Sequence, residues 1–166
     1  MERIITDSKG ASRTLLGTDI GIGDKAADFT VLDGNLSGVR LSDFDGKKKL
    51  ISVVTSLDTG VCDEQTRRFN KEAAALGDSI VILTISVDLP FAQARWCGAA
   101  GIDAVKVLSD YRDLDFGMKF GVVIKELRLL NRSIFILDEN NTLVYKEVLK
   151  DNGNHPDYEK ALKTLG

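Results

Sequence analysis

Two almost uninterrupted apolar runs, residues 50–54 and 80–87, dominate the hydrophobic pattern of this chain. Such runs are typical of strands that are buried on both faces of a sheet. The segment 65–76 between them predicts a helix, and Gly77 follows it as a helix-ending signal. A strand, a helix and a second strand in this order predict a parallel β-α-β unit.

The remaining elements are shorter and are bounded by turn-forming residues. They comprise a hairpin of 3–6 with 13–16, a pair of 29–32 with 39–41, helices at 91–97, 113–120 and 157–165, a strand at 105–108, and a hairpin of 133–137 with 143–147. The chain contains no internal repeat, low-complexity tract or linker. We therefore expect one α/β domain over residues 1–166, with a mixed central sheet flanked by helices and an N-terminal β-hairpin.

A cysteine lies where the first buried strand passes into the following helix. Thr59 is a natural N-cap, and counting from it makes Gly60 the first helical residue and Cys62 the third. The free backbone N–H groups and the positive end of the helix dipole favour a thiolate at that position. A buried cysteine can also be a small apolar residue of the core, so the position alone leaves both interpretations open.

Composition and charge exclude several classes of function. Of 166 residues, 43% are apolar and 28% charged, and the net charge is −3 without a basic cluster, so neither nucleic acid nor an anionic membrane is expected as a partner. The N-terminus lacks the apolar stretch of a signal peptide, which predicts a cytoplasmic protein. In that compartment two cysteines are expected to be reduced, catalytic or redox-sensing. One histidine and two distant cysteines make no zinc pattern, and no cofactor is expected.

Several segments together resemble the thiol peroxidase (Tpx) branch of the peroxiredoxins. Residues 56–70, which include Asp-Thr-Gly-Val-Cys at 58–62, resemble its active-site signature, and residues 88–98 resemble its second-cysteine helix. Residues 108–112 and 129–135 match further parts of the family pattern. The resemblance covers nearly the whole chain and implies the thioredoxin fold.

The resemblance implies an atypical two-cysteine peroxiredoxin. By position, Cys62 matches the peroxidatic cysteine, Cys97 the resolving cysteine that forms a disulfide with it, Thr59 the motif hydroxyl, and Arg132 the active-site arginine. The family reduces hydrogen peroxide and organic hydroperoxides to water and alcohols, takes electrons from thioredoxin and is usually a homodimer. Its chemistry requires an ionised nucleophile and donors placed along the breaking O–O bond, and the sulfenic acid that results needs a second thiol.

Three positions depart from the family pattern by lacking proline. They are Thr55, at the start of the motif Pro-x-x-x-Thr/Ser-x-x-Cys, Gly60, just before Val61, and Ala27, in an Ala-Pro-Asp-Phe segment of the pattern. Proline presets φ, whereas glycine has the most backbone freedom to lose. We therefore expect a looser active-site loop, with consequences for rate and for ionisation of the thiol.

Two other functions remain open from the residues alone. A thioredoxin-like disulfide oxidoreductase normally carries Cys-x-x-Cys, and here the third position after Cys62 is Gln65. A redox sensor or binding module without peroxidase activity fits the missing prolines. Apart from the resemblance, Arg132 is typical of a surface or ion-paired arginine and Thr59 of a helix cap, while Cys97 fits a packing residue as well as a functional thiol.

Overall fold

The structure of the protein is a computed structural model, which describes residues 2–166. Its strands are β1 (Arg3–Thr6), β2 (Ser12–Leu16), β3 (Thr30–Leu32), β4 (Gly38–Arg40), β5 (Lys48–Val53), β6 (Ile80–Ser86), β7 (Lys106–Ser109), β8 (Val123–Ile124), β9 (Leu129–Leu130), β10 (Ser133–Leu137) and β11 (Leu143–Val148). Its helices are α1 (Gly60–Ala73), α2 (Pro90–Ala100), α3 (Asp115–Phe120) and α4 (Tyr158–Leu165), and a 3₁₀ helix covers Leu41–Phe44. Within residues 2–166 no helix has the length and apolarity needed to cross a membrane.

The central sheet has seven strands in the order β11-β10-β5-β6-β7-β3-β4. Strands β5, β6 and β7 run parallel, and every other neighbouring pair is antiparallel. A second sheet, β1-β2-β8-β9, contains the N-terminal hairpin. The predicted mixed sheet, the β5-α1-β6 unit and the opening hairpin are thereby confirmed.

Alternating side chains of the central strands supply two hydrophobic cores, one on each face of the sheet. On β10, Ile134 and Ile136 pack in the cluster that contains Phe69 of α1 and the buried residues of α4. Phe135 lies in the opposite cluster, with the aromatic rings of α3. Burying a side chain such as Phe69 contributes about 1.5–3 kcal/mol. This packing therefore holds α1, and with it Cys62, against the sheet.

The C-terminal ends of α1 and α2 differ from the sequence prediction. Helix α1 ends at Ala73, before the predicted boundary, and Gly77 takes a left-handed φ of 77° in the turn that follows. Helix α2 runs through Gly98 and closes at Gly101, whose φ is 69°. Alanines at 99 and 100 sustain the helix, so the left-handed closing position falls beyond them. Strands β8 and β9 were not predicted, because two residues are too few to form a pattern.

Candidate active site

The junction between β5 and α1 places Cys62 in the first turn of a helix. Thr59 has extended backbone angles, φ −99° and ψ 148°, and α1 begins at the next residue, so Cys62 is the third helical residue as predicted. Its side chain is fully buried in a small cluster with Val54, Leu57 and the partly buried Trp96 of α2. The thiol therefore lies in a dry environment at the positive end of the helix dipole.

A buried arginine reaches this thiol from the start of β10. Arg132 is 3% exposed, and its Nη1 donates hydrogen bonds to Cys62 Sγ at 3.3 Å and to Gln65 Oε1 at 3.0 Å. Within residues 2–166 no carboxylate lies within 4.0 Å of its guanidinium. A buried cation without an anion is costly, and the ionisable group that accepts its hydrogen bond is Cys62. Arg132 therefore places a fixed cation in hydrogen-bond contact with the sulfur of Cys62.

Gln65 and Ser52 hold the guanidinium on the helix side. Gln65 follows Cys62 on α1 and is fully buried. Its Nε2 donates to Ser52 Oγ at 2.8 Å, which fixes the amide so that Oε1 accepts from Arg132. The residue that excludes a Cys-x-x-Cys motif is thus part of the polar network around the thiol.

On its other side Arg132 is bound by Asn152, which follows β11. Asn152 Oδ1 accepts from the Arg132 backbone N–H at 2.8 Å, and the Asn152 carbonyl accepts from Nε at 3.0 Å. Thr55, which is 9% exposed, donates its hydroxyl to Asn152 Oδ1 at 3.1 Å. The position where the family pattern has proline is therefore occupied by a hydrogen-bonding side chain.

A cavity of about 400 Å³ opens beside the thiol. It is lined by Ser8, Thr55, Thr59, Gly60, Val61, Arg132, Asn152 and Gly153. Cys62 follows the lining residue Val61 in sequence and accepts a hydrogen bond from the lining residue Arg132. A volume of this size suits a small-molecule site.

The predicted capping role of Thr59 is wrong in one respect. Thr59 occupies the N-cap position, but its side chain makes no cap hydrogen bond. Its hydroxyl donates instead to the carbonyl of Ser56 at 3.0 Å. A hydrogen bond from a threonine hydroxyl to the carbonyl three residues earlier in the chain competes with capping of the helix. The exposed hydroxyl of Thr59 lines the cavity and can turn toward a bound molecule.

Asp88 anchors the loop before Thr59. Its carboxylate accepts from Ser56 Oγ at 2.8 Å, from the Leu57 N–H at 2.9 Å and from Ser86 Oγ at 2.6 Å. Asp88 immediately precedes the segment that begins α2, so one carboxylate joins the loops that lead to both cysteine-bearing helices. Sequence reasoning assigned no role to Asp88 or Asn152, since nothing local indicates their distant partners.

Cys97 lies on α2, and both cysteines carry free thiols. Burial raises the pKa of the Cys97 thiol above its usual value.

Of the other departures from the family pattern, Gly60 and Ala27 are exposed, and a Cβ at Gly60 would meet nothing within 4 Å. Within residues 2–166 no three His, Cys, Asp or Glu side chains come together to hold a metal ion.

Known proteins resemble this chain along most of its length. The sequence model of the redoxin family matches residues 22–162. A thiol peroxidase of Bacillus subtilis is 59% identical over 93% of this chain and 92% of its own length. A thiol peroxidase of Oceanobacillus iheyensis is 60% identical over 92% of each chain.

Solved structures agree with the sequence relatives. A peroxiredoxin-like protein from Aquifex aeolicus superposes with a TM-score of 0.91 and 31% identity, over 98% of this chain and 95% of its own. The names of these relatives agree with the family that the segments around Cys62, Cys97 and Arg132 resemble. The chain therefore belongs to the redoxin family and, within it, to the thiol peroxidase branch of the peroxiredoxins.

Proposed function

We propose that the chain reduces hydrogen peroxide and organic hydroperoxides with Cys62 as nucleophile. The thiolate sulfur attacks one peroxide oxygen, the O–O bond breaks, and the departing oxygen takes a proton to give water or an alcohol. Sulfur is oxidised to a sulfenic acid, and the peroxide is reduced by two electrons. The observation that carries this proposal is the hydrogen bond from Arg132 to Cys62 Sγ at the start of α1.

Arg132 and Thr59 supply the donors that the transition state requires. Negative charge moves from sulfur to the departing oxygen, and a fixed cation beside sulfur stabilises the thiolate and the developing charge. Thr59 faces the cavity and can donate to the bound peroxide after its hydroxyl leaves Ser56. The buried surroundings of Arg132 and Cys62 strengthen the interaction between the guanidinium and the sulfur.

Cys97 is proposed to resolve the sulfenic acid. Its thiolate attacks the oxidised sulfur of Cys62, the S–O bond breaks, the departing hydroxide takes up a proton to leave as water, and an intrachain disulfide forms. A chain-entropy model gives about 3.8 kcal/mol for closing a loop of this length, before any strain. The two cysteines occupy different helices, and we propose that one or both helix ends unwind locally so that the sulfurs can meet.

Thioredoxin is the proposed reductant of that disulfide, by exchange with its own dithiol. Peroxiredoxin membership supports a thiol-based reductant in general. We further propose a single-domain homodimer that works in the cytoplasm, where a reducing thiol pool would keep Cys62 and Cys97 available.

A coupled assay tests the function. Peroxide consumption should require both thioredoxin and its reductase, and Cys62→Ser should remove it. A disulfide oxidoreductase would instead reduce protein disulfides without consuming peroxide, and a redox sensor would be oxidised once without turnover. Either of those results would contradict the proposal.

A further inference from the structure

The hydrogen bonds of Asn152 converge on Arg132. The side-chain oxygen of Asn152 accepts a hydrogen bond from the Arg132 backbone N–H at 2.8 Å. The backbone carbonyl of Asn152 accepts one from Arg132 Nε at 3.0 Å. Its own backbone N–H donates to the carbonyl of Thr6 at the end of β1, at 2.8 Å. Asn152 is 6% exposed, so these bonds are shielded from water.

Thr55 fixes the amide of Asn152. The Thr55 hydroxyl donates to Asn152 Oδ1 at 3.1 Å and lies 3.0 Å from Nδ2. Both residues are buried and line the cavity beside Cys62. Without that hydroxyl, the amide of Asn152 can rotate, and the oxygen that holds the Arg132 backbone can move away.

We propose that Asn152, fixed by Thr55, is the positioning residue that holds Arg132 against Cys62. This proposal rests on the proposed reaction at Cys62 and adds two residues to it. Arg132 Nη1 reaches Sγ only with the guanidinium in one orientation, because Nε is committed to Asn152 and Nη1 is shared with Gln65. In this chain Thr55 therefore contributes a positioning hydrogen bond where the family pattern has a proline ring.

Matched variants separate positioning from simple stability. Thr55→Val removes the hydroxyl and keeps the shape, whereas Thr55→Ser keeps the hydroxyl. Thr84→Val is the control, because Thr84 is buried and its hydroxyl has no hydrogen-bond partner within residues 2–166. Asn152→Ala removes the side-chain acceptor itself.

Two readouts are measured in each variant. One is the stopped-flow rate of Cys62 oxidation by hydrogen peroxide. The other, in a Cys97→Ser background, is the midpoint pH of Cys62 alkylation by iodoacetamide. Thr55→Val should slow oxidation about three- to tenfold and Asn152→Ala about tenfold or more. The alkylation midpoint should rise by roughly 0.5–1 pH unit in both variants. Thr55→Ser and Thr84→Val should stay within about twofold of the parent.

An unchanged rate and midpoint in Thr55→Val would overturn the proposal, whether or not Asn152→Ala folds. Thr55→Pro gives a second test, since a looser-loop explanation predicts faster oxidation and loss of positioning predicts slower oxidation. A faster Thr55→Pro variant would also overturn the proposal. Alkylation requires no peroxide turnover. A shifted midpoint in a protein that fails to consume peroxide would therefore support positioning and reject the proposed function.

Discussion

The two cysteines lie near opposite ends of their helices, and their surroundings differ accordingly. Cys62 is the third residue of α1, where free N–H groups and the positive dipole end face the side chain. Cys97 lies in the last turn of α2, and its carbonyl accepts from the N–H groups of Gly101 and Ile102. Arg132 donates to Cys62 Sγ, whereas no side chain within residues 2–166 hydrogen-bonds Cys97 Sγ.

We infer from this contrast that burial alone does not decide the reactivity of a thiol. Cys62 is the more buried of the two, yet it has a cation and a helix start to stabilise negative charge. Cys97 is only half-buried, and desolvation with no compensating charge raises its pKa. We infer that Cys62 is equipped to attack first and that Cys97 becomes reactive only when its surroundings change.

The largest expected effect separates the two cysteines by substitution. Cys62→Ser should reduce thioredoxin-dependent peroxide turnover to background, because no other thiolate is stabilised. Cys97→Ser should still consume about one equivalent of peroxide per chain but lose rapid recycling. Steady-state and single-turnover kinetics check both variants. Full turnover by the serine variant at position 62 would contradict the assignment.

Replacing the guanidinium group of Arg132 should have the next largest effect. Arg132→Lys keeps the charge but cannot donate to Asn152, Gln65 and Cys62 with one planar group. The rate of Cys62 oxidation should fall about a hundredfold. Arg112→Lys is the matched control, since Arg112 is exposed and, among residues 2–166, forms an ion pair only with Asp113. Equal stopped-flow rates in the two variants, with melting temperatures preserved, would exclude a role for the guanidinium.

The pH dependence of resolution sharpens the contrast from the side of Cys97. Burial raises the pKa of Cys97, so its thiolate fraction is small at neutral pH and grows as the pH rises toward that value. Disappearance of the Cys62 sulfenic acid in rapid-quench experiments should therefore accelerate by up to about tenfold per pH unit above pH 7. A flat profile would show that unwinding of the helices, rather than ionisation of Cys97, limits resolution.

Two glycines test the local unwinding with a smaller effect. A Cβ added at Gly60 or Gly98 meets nothing within 4 Å, and both lie in helices beside a cysteine. Alanine should stabilise each helix by about 0.4–1 kcal/mol. We expect Gly60→Ala to slow disulfide formation about two- to fivefold, because opening of the first turn of α1 then has to overcome the added helix stability. Gly98→Ala tests in the same way whether the last turn of α2 must open before the disulfide forms.

Local signals in the sequence predicted the position of Cys62 but not the groups around it. A buried strand followed by Thr59 defines a helix start within a few residues, so the count to Cys62 was correct. The direction of the Thr59 hydroxyl depends on a competing carbonyl and could not be predicted. Arg132 is 70 positions from Cys62 and was assigned only by resemblance. Asn152 was missed, because its bond to Thr55 spans 97 positions and exists only in the folded chain.

The most direct test of the account determines which sulfur is oxidised first. Reduced protein is treated with less than one equivalent of hydrogen peroxide in the presence of a reagent that traps sulfenic acid, and peptides are mapped by mass spectrometry. We predict label on Cys62 alone, accompanied by a Cys62–Cys97 disulfide within one chain. Label on Cys97, or disulfides only between chains, would contradict the account.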